Sequence, residues 1–332
     1  MLPISTETEA FQARRGLRSA HLQTLVGALF PPRNRTPQPE RRLIRVADDV
    51  QVLALCNWQA DRSRSLTVIV VHGLEGSSES AYVIGTANKA WEARFNVVRM
   101  NVRNCGGTER LGPTLYHSGL SADVGEVARH LISSEHLERI AFVGFSMGGN
   151  QVLKLAGEWG SNAPLQLRAV AAISPGIDLA ASADAIHHPS NRIYEWNFLR
   201  SLKRSVRRKA LAFPGRFEFS NLGALRSLRD FDDKITARHW GFTGADDYYD
   251  RASAAPLLER IVVPTLVIHS TDDPFVIITP STRERLLRNP NIRYVETARG
   301  GHCAFLADAR DYDGRWAERQ VVRFLKNFAQ AS

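Results

Sequence analysis

The sequence predicts an α/β protein in which a mostly parallel, twisted sheet carries helices on both faces. Two observations support this class. Strand-like and helix-like segments alternate along most of the chain, as they do where helical crossovers join parallel strands. The central strand-like segments, such as LTVIVVHGL at 66–74, are apolar throughout, which is typical of strands that helices cover on both sides.

The predicted elements follow one another in a regular order. Two apolar runs around Asp48 and Asp49 predict a hairpin over 41–58. The apolar pattern then predicts strands at 66–74, 95–103, 139–146, 167–175, 264–273 and 292–300. Helices are predicted at 81–94, 119–136, 147–160, 281–289 and 312–329.

One long insertion, from 176 to 255, interrupts this alternation. It contains a basic segment at 196–209 with apolar side chains at helical spacing, namely Trp196, Leu199, Leu202 and Val206. Because ligands of such sheets bind beyond the C-terminal ends of the strands, a helical insertion there would cover the crevice. The expected organisation is an N-terminal segment packed on the body at 1–40, a core from 41–175 and 256–332, and a helical cap or lid at 176–255.

The net charge of +9 on the 332 residues is unevenly placed. Residues 192–229 contain ten Lys or Arg against two Glu, and residues 14–45 contain eight Arg against one Glu. Such patches attract an anionic membrane surface, an acidic ligand or nucleic acid, although many charged faces are simply solvated. The sequence has no helix-turn-helix, zinc-finger or RNA-recognition motif, so we expect no nucleic-acid partner.

Cysteine content and hydropathy indicate the compartment. Cys56, Cys105 and Cys303 are widely spaced and form no CxxC pair or Cys/His cluster, which argues against a disulfide framework and a structural zinc site. The N-terminal residues lack the pattern of a secretory signal, and no run of about 18 apolar residues occurs. We therefore expect a cytoplasmic protein that is at most peripheral at a membrane.

The segment Gly144-Phe145-Ser146-Met147-Gly148 is a G-x-S-x-G motif placed between an apolar strand and a helix. This context is the one that a nucleophile elbow requires, because a tight strand-to-helix turn pushes the serine hydroxyl out of the sheet. The alternative is a serine that only caps the helix. We predict that Ser146 is a nucleophile.

A serine nucleophile needs a base, and the base needs a carboxylate. His302 follows the strand at 292–300, where a loop returns to the crevice, and we predict that it is the general base. Asp272 and Asp273 close the strand at 264–273, and the order Ser, Asp, His is that of one large hydrolase fold. We prefer Asp273 as the orienting acid, and Asp272 remains the alternative.

Attack on a carbonyl creates an oxyanion that needs preorganised donors. The backbone N–H of Met147 is expected to supply one donor. The loop after the strand at 66–72, which reads His72-Gly73-Leu74-Glu75-Gly76, is expected to supply the other, from the Leu74 N–H. His72 and Gly73 in the same loop are candidates for lining the pocket.

Several segments, in the same order along the chain, resemble the YheT-like hydrolases, a branch of the α/β-hydrolase superfamily related to the eukaryotic ABHD proteins. They are SAHLQTL (19–25), HGLEGSSES (72–80), NVRNCGG (101–107), LYHSG (115–119), GFSMGGN (144–150), DDYYDRAS (246–253), STDDPF (270–275) and GGH (300–302). The resemblance implies an α/β-hydrolase fold with a helical cap and a Ser-Asp-His triad, here Ser146, Asp273 and His302. Characterised relatives look like lipid-ester hydrolases or acyltransferases.

Three details of these segments leave alternatives open. Where relatives commonly show Arg-Gly-Cys, this chain has Asn104 in the middle position, which could alter the loop near the oxyanion region or have no effect. His21 could line the pocket or pack the N-terminal segment on the body, and we favour packing. Tyr116 and His117 could touch the substrate or brace their loop.

The function predicted from these residues is a serine carboxylic-ester hydrolase that forms an acyl-enzyme on Ser146. The apolar cap favours an apolar or lipid acyl ester, and the basic segment at 196–209 makes contact with an anionic membrane surface a hypothesis. This chemistry needs no metal or organic cofactor, and none is expected. The alternatives are an acyltransferase that uses the same acyl-enzyme and a non-catalytic binding protein that keeps the fold.

Overall fold

A computed structural model describes residues 9–217, 222–309 and 311–329, and an eight-stranded sheet forms its centre. The strands are β1 Glu40–Ala47, β2 Val50–Asn57, β3 Thr67–Val71, β4 Asn96–Met100, β5 Ile140–Phe145, β6 Leu167–Ile173, β7 Thr265–Ser270 and β8 Ile292–Thr297. Their order in the sheet is β1-β2-β4-β3-β5-β6-β7-β8. Strand β2 is antiparallel to both of its neighbours and the pairs from β4 to β8 are parallel, so the predicted fold class is confirmed.

The predicted helices of the core are present, with a few residues of difference at their ends, and α1 is a helix that the sequence pattern did not predict. They are α1 Ala20–Leu29, α2 Ala81–Glu92, α3 Ser121–Glu135, α4 Met147–Trp159, α5 Leu179–His187, α6 Arg192–Ala212, α7 Leu228–Phe231, α8 Arg238–Trp240, α9 Ala245–Ala252, α10 Pro280–Arg288 and α11 Trp316–Lys326. A π-helical turn, Asp232–Ala237, joins α7 to α8. Some parts of the predicted segments lie outside the described residues, namely 1–8, 218–221, 310 and 330–332.

The apolar strands are explained by two cores, one on each face of the sheet. All five residues of β3 are buried. Val68 and Val70 belong to the core that α2 and α11 cover, whereas Ile69 and Val71 belong to the core that α3 and α4 cover. Because successive side chains of a strand point to opposite faces of the sheet, the side chains on both faces must be apolar. The alternation of apolar and polar residues that marks a half-exposed strand is therefore absent.

Helices α5 to α9 lie between β6 and β7, within the predicted insertion. Leu199, Leu202 and Val206 of α6 are buried in a core of their own that also includes Phe275, which follows β7. Trp196 does not share this face, contrary to the spacing argument, because its side chain is 60% exposed. The insertion therefore packs against the loop that follows β7, and its role as a lid stays a proposal.

The basic segment at 196–209 exposes less positive charge than its sequence suggests. Lys209 is fully buried, and its Nζ donates to Asn104 Oδ1 at 2.5 Å and to the carbonyl oxygens of Glu109 and Gly112. Arg208 forms an ion pair with the Glu109 carboxylate at 2.5 Å. Lys209 thus holds α6 on the body from a buried position, whereas Arg208 adds an ion pair with a side chain that is 47% exposed.

Candidate active site

Ser146 lies between β5 and α4 in a strained backbone conformation. Its φ of +54° and ψ of −119° lie outside the regions that L-residues ordinarily adopt. Such a conformation costs on the order of 1–3 kcal/mol and persists only where the surrounding structure enforces it. Here the Ser146 N–H donates to Ile173 O at 2.9 Å, and Ser146 O accepts from Asn150 N at 3.1 Å.

The two glycines of the motif allow the close packing that this turn needs. A Cβ atom at position 144 would lie 2.2 Å from Gly148 O, and one at position 148 would lie 2.4 Å from Val71 O in β3. Both contacts are with backbone atoms that cannot move aside without disturbing the sheet. The structure therefore has the geometry of a nucleophile elbow at Ser146.

His302 and Asp273 are hydrogen-bonded to each other in the loops that follow β8 and β7. His302 Nδ1 lies 2.8 Å from Asp273 Oδ2. The other carboxylate oxygen of Asp273 accepts from the N–H groups of Val276 at 2.9 Å and Phe275 at 3.2 Å. Both oxygens of this buried carboxylate thus have partners, and the imidazole is held through its Nδ1, which leaves its Nε2 on the side away from Asp273.

Burial and charge act in opposite directions on this pair. Burial by itself would raise the pKa of Asp273, but His302, His269 and the Val276 N–H together lower it below its ordinary value. Burial would lower the pKa of His302, but the Asp273 carboxylate, with a further contribution from Cys303, raises it above 6.5. The imidazole is therefore a stronger base than a free histidine.

Asp272, the alternative acid, has a different partner. Its Oδ1 accepts from Gly301 N at 2.9 Å, so it holds the histidine loop and makes no hydrogen bond with the imidazole. The same loop is held by Thr24 of α1, whose Oγ1 accepts from His302 N at 2.9 Å, and by Ser174, whose Oγ accepts from Cys303 N at 3.1 Å. Sequence reasoning missed Thr24 and Ser174, although Thr24 lies in the SAHLQTL segment.

The end of β6 brings Ser146 and the histidine loop together. Ile173 O accepts from Ser146 N at 2.9 Å and lies 3.8 Å from Cys303 Sγ. Cys303 Sγ lies 3.6 Å from His302 Nε2. Among the contacts of the described residues, the Ser146 hydroxyl makes no hydrogen bond with His302. Hydrogen bonds of this kind are often long in empty sites and tighten when substrate binds.

The backbone N–H groups of Met147 and Leu74, the predicted oxyanion donors, are both without an acceptor among the described contacts. Met147 is the first residue of α4, so helix geometry leaves its N–H without an intrahelical acceptor. Among the described contacts, the Leu74 N–H has no acceptor either. Three other N–H groups of the loop have acceptors. Gly73 N donates to Tyr82 Oη at 2.9 Å, Glu75 N donates to Tyr116 Oη at 3.2 Å, and Gly76 N donates to Gly73 O at 3.0 Å.

Glu75, beside the Leu74 donor, connects this loop to the helical insertion. Its Oε1 accepts from Tyr116 Oη at 2.7 Å. Its Oε2 accepts from the hydroxyls of Ser201 and Ser205 on α6, both at 2.7 Å. Sequence reasoning missed this role because the three donors lie 41 to 130 residues from Glu75.

The four residues predicted as possible pocket residues have different surroundings. Gly73 adjoins Ser146, since a Cβ at position 73 would lie 3.0 Å from Ser146 Cβ. His72 is a correction, because it is fully buried and lines no surface. Its Nε2 accepts from Val102 N at 3.0 Å and its Nδ1 donates to Gly73 O at 2.8 Å. Burial lowers the pKa of His72 to about 4, so it is neutral and braces two loops.

Tyr116 and His117 brace their loop. The Tyr116 hydroxyl is occupied by Glu75, as described above. His117 packs edge-on against Trp240 and Tyr248 of the insertion, with ring centres 4.7 and 5.8 Å apart. Burial lowers the pKa of His117 to about 3, which keeps the ring neutral in this aromatic cluster.

His21 packs as expected, although its partner is the insertion. The ring stacks on Tyr194 of α6 with centres 5.6 Å apart, and Nδ1 lies 3.1 Å from Tyr194 Oη. Within the described ranges, no group of three or more His, Cys, Asp and Glu side chains is arranged to hold a metal ion. In the same ranges, no helix is both long and apolar enough to cross a membrane.

Comparisons with known proteins agree with this architecture. The family model of the alpha/beta hydrolase fold matches residues 67–309. The Escherichia coli (strain K12) protein "Putative esterase YheT" is 32% identical, over 97% of this chain and 94% of its own length. This chain belongs to the α/β-hydrolase family. The human protein named Phospholipase ABHD3 is 28% identical, over 89% of this chain and 72% of its own length. The resemblance to YheT-like and ABHD-related hydrolases is therefore confirmed.

Solved structures agree on the fold. The Pyrococcus furiosus esterase Pf2001 has a TM-score of 0.58 at 17% identity, over 90% of this chain and all of its own. Asn104 stands where the resemblance to YheT-like hydrolases leads us to expect glycine. Its φ of +65° is a conformation that glycine adopts freely and asparagine tolerates. The side chain contributes an acceptor for Lys209, so the departure adds a contact between the loop and α6.

Proposed function

We propose that this α/β-hydrolase is a serine carboxylic-ester hydrolase whose triad is Ser146, Asp273 and His302. The observation that carries the proposal is the combination of a strained elbow serine with a 2.8 Å hydrogen bond between His302 Nδ1 and Asp273 Oδ2 at the same edge of the sheet. A serine that only capped α4 would not need the strained backbone, and its side chain makes no capping hydrogen bond.

The proposed reaction has two halves. Ser146 Oγ attacks the ester carbonyl while His302 Nε2 takes the hydroxyl proton, and the N–H groups of Leu74 and Met147 stabilise the oxyanion. The protonated His302 then donates that proton to the departing alkoxide, which leaves as the alcohol and forms an acyl-enzyme. A water molecule, deprotonated by His302, attacks the acyl-enzyme and releases the acid and free Ser146. Asp273 stays ionised throughout and stabilises the imidazolium.

The substrate class rests on the surroundings of Leu74 and on the named activities of relatives. A cavity of about 320 Å³ lies between this loop and α6, lined by Leu74, Glu75, Asn197, Phe198, Arg200, Ser201 and Arg204. Apolar and cationic side chains together suit an acyl ester with a polar or anionic alcohol. The relatives named as an esterase and as a phospholipase support an apolar or lipid acyl ester.

The remaining expectations belong to the same proposal. Residues 176–255 would act as the lid, because α6 contacts Glu75 beside the oxyanion donors and Asn191 Nδ2 donates to Pro274 O beside Asp273 at 2.6 Å. The cytoplasmic location expected from the cysteine content stays a prediction. So does the expectation that no metal or organic cofactor takes part.

The decisive experiment is labelling with a fluorophosphonate probe, with Ser146→Ala as the control variant. We expect the wild-type protein to be labelled and the variant to be unlabelled. A panel of p-nitrophenyl esters of increasing chain length should then show an optimum, and added glycerol or ethanol would reveal acyl transfer as a new ester. If folded wild-type protein is neither labelled nor active on any ester, the non-catalytic binding protein becomes the better interpretation.

A further inference from the structure

Helix α1 is amphipathic, but its polar side faces the protein and its apolar side faces solvent. Gln23, Thr24 and Gly27 are the buried residues of the helix. Three leucines lie on the opposite face at spacings of three and four residues, and their side chains are 45% (Leu22), 41% (Leu25) and 69% (Leu29) exposed. A surface helix of a globular protein normally shows the reverse orientation, so these leucines need an explanation other than packing.

Hydrogen bonds of the buried polar side chains fix the orientation of α1 about its own axis. Gln23 Nε2 donates to Leu306 O at 2.9 Å, and Gln23 Oε1 accepts from Leu306 N at 2.7 Å. Thr24 Oγ1 accepts from His302 N at 2.9 Å. Rotating α1 to bury its leucines would break these hydrogen bonds and leave buried backbone groups without partners. The orientation is therefore held by the loop that carries the proposed base.

The exposed leucines continue onto the helical insertion. The stacking of His21 on Tyr194 joins α1 to the start of α6. The neighbours of Tyr194 on α6 are themselves exposed, Ile193 to 76% and Trp196 to 60%. We call Leu22, Leu25, Leu29, Ile193 and Trp196 the α1/α6 surface. Tyr194 in turn packs on Phe275, which packs on His302, with ring centres 5.2 and 4.4 Å apart. The surface thus lies beside the active-site loop.

Positive charge flanks this surface. Residues 10–39 contain five arginines and no acidic residue. Arg14, Arg15, Arg18 and Arg299 line a groove of about 890 Å³ before α1, with Asp308 as its acidic residue. Among the described residues, Arg14, Arg15 and Arg18 form no ion pair. Guanidinium groups beside an exposed apolar face match a bilayer, whose anionic headgroups lie above its apolar interior.

We propose that the α1/α6 surface docks on a lipid bilayer that contains anionic lipids. The leucines and Trp196 enter the boundary between headgroups and acyl chains, and Arg14, Arg15 and Arg18 contact the headgroups. Docking there brings the Ser146 site to the membrane surface. The inference rests on the proposed function for the nature of the substrate, but its test measures binding alone.

The experiment is co-sedimentation with vesicles of phosphatidylcholine alone and of phosphatidylcholine mixed equally with phosphatidylglycerol. The test variant is Leu22→Ser/Leu25→Ser/Leu29→Ser. The matched control is Leu165→Ser/Leu211→Ser/Leu287→Ser, because these leucines are also exposed, to 87%, 79% and 57%. We expect the wild type and the control to bind the anionic vesicles, and the test variant to bind about tenfold more weakly. Arg14→Gln/Arg15→Gln/Arg18→Gln should lose the preference for anionic over neutral vesicles.

Activity on a short-chain p-nitrophenyl ester, without vesicles, separates this proposal from the proposed function. All three variants should keep that activity, which shows that they are folded. The docking proposal is overturned if the wild type does not sediment with vesicles, or if the test and control variants bind equally. It is also overturned if the wild type is a dimer that the test variant converts to a monomer without vesicle binding, because the occupant is then a second copy. An inactive wild type that still docks contradicts only the proposed function.

Discussion

At the scale of single residues, Asp272 and Asp273 are neighbours in the chain whose carboxylates have different partners. Asp273 accepts from the imidazole of His302, whereas Asp272 accepts from the backbone of Gly301. Each contact holds the loop of His302, but in the proposed mechanism only the first would stabilise an imidazolium. The two acids therefore differ in chemical role although both touch the same loop.

The first prediction compares Asp273→Asn with Asp272→Asn. Loss of the Asp273 charge should lower kcat by about 10³–10⁴-fold, because the imidazolium loses its counter-charge and the wrong tautomer is favoured. Asp272→Asn keeps an oxygen acceptor for Gly301 N and should lower kcat by less than about tenfold. The measurement is kcat on a p-nitrophenyl ester, with melting temperature as the control for folding. A larger loss of kcat in Asp272→Asn than in Asp273→Asn would show that Asp272, and not Asp273, is the triad acid.

The second prediction concerns pH. His302 accepts the Ser146 proton only when it is neutral, and the Asp273 carboxylate raises the pKa of His302 above 6.5. The value of kcat/KM should therefore rise with pH, with a midpoint above 6.5. In Asp273→Asn the midpoint of the residual activity should shift to lower pH, because burial alone lowers the pKa of His302. A wild-type midpoint below 6.5 would contradict this account.

At the scale of elements, α6 is connected to two loops of the body by polar contacts. Glu75 accepts from Ser201 and Ser205, and Lys209 donates to Asn104. The first contact lies beside the Leu74 donor and so bears on the chemistry. The second is fully buried and so bears on stability, and burial lowers the pKa of Lys209 to about 8.

The third prediction concerns Ser201→Ala/Ser205→Ala. Without the two hydroxyls, Glu75 no longer connects the oxyanion loop to α6, and the Leu74 N–H is held less well. We expect kcat to fall about tenfold with little change in KM, which is less than the loss of a whole oxyanion donor. The control is Ser190→Ala, an exposed serine of the same insertion. A rise in KM without loss of kcat would indicate that the two hydroxyls act on substrate in the cavity that Ser201 lines, and not on the position of the loop.

The fourth prediction concerns Asn104→Gly. Glycine tolerates the φ of +65° at this position, so the variant removes one of the three oxygen acceptors of Lys209, together with the Asn104 Nδ2 hydrogen bond to Thr114 O, without backbone strain. Weakening a hydrogen bond to a buried charge should lower the free energy of unfolding by about 1–3 kcal/mol. Denaturant unfolding measures this change. In a double-mutant cycle with Lys209→Met, additive effects of the two substitutions would show that the contact contributes nothing.

At the scale of the whole molecule, the proposed site and the α1/α6 surface share one loop. The imidazole of His302 contacts Asp273, its backbone N–H donates to Thr24 of α1, and the adjacent Gly301 N–H donates to Asp272. Residues from both ends of the chain thus meet at the proposed base. A surface on α1 that contacts lipid would be separated from His302 by the thickness of a single helix.

The fifth prediction follows from that arrangement. In Leu22→Ser/Leu25→Ser/Leu29→Ser, hydrolysis of an ester carried in anionic vesicles should fall about tenfold, because less enzyme is at the surface. Hydrolysis of a short-chain ester in free solution should not change. The ratio of the two rates is the quantity to measure, with Leu165→Ser/Leu211→Ser/Leu287→Ser as the control. Equal losses on both substrates would point to damage at His302.

The sequence by itself determined the class of fold, the elbow at Ser146 and the chain order of serine, aspartate and histidine, because each of these features depends on local periodicity and on a short motif at the end of a strand. Only the tertiary structure decided which aspartate contacts the imidazole, that His72 is buried, and that Thr24 and Glu75 hold the site. The outward orientation of the α1 leucines belongs to the same group. Their partners lie tens to hundreds of residues away, and contacts over such separations depend on the path of the whole chain.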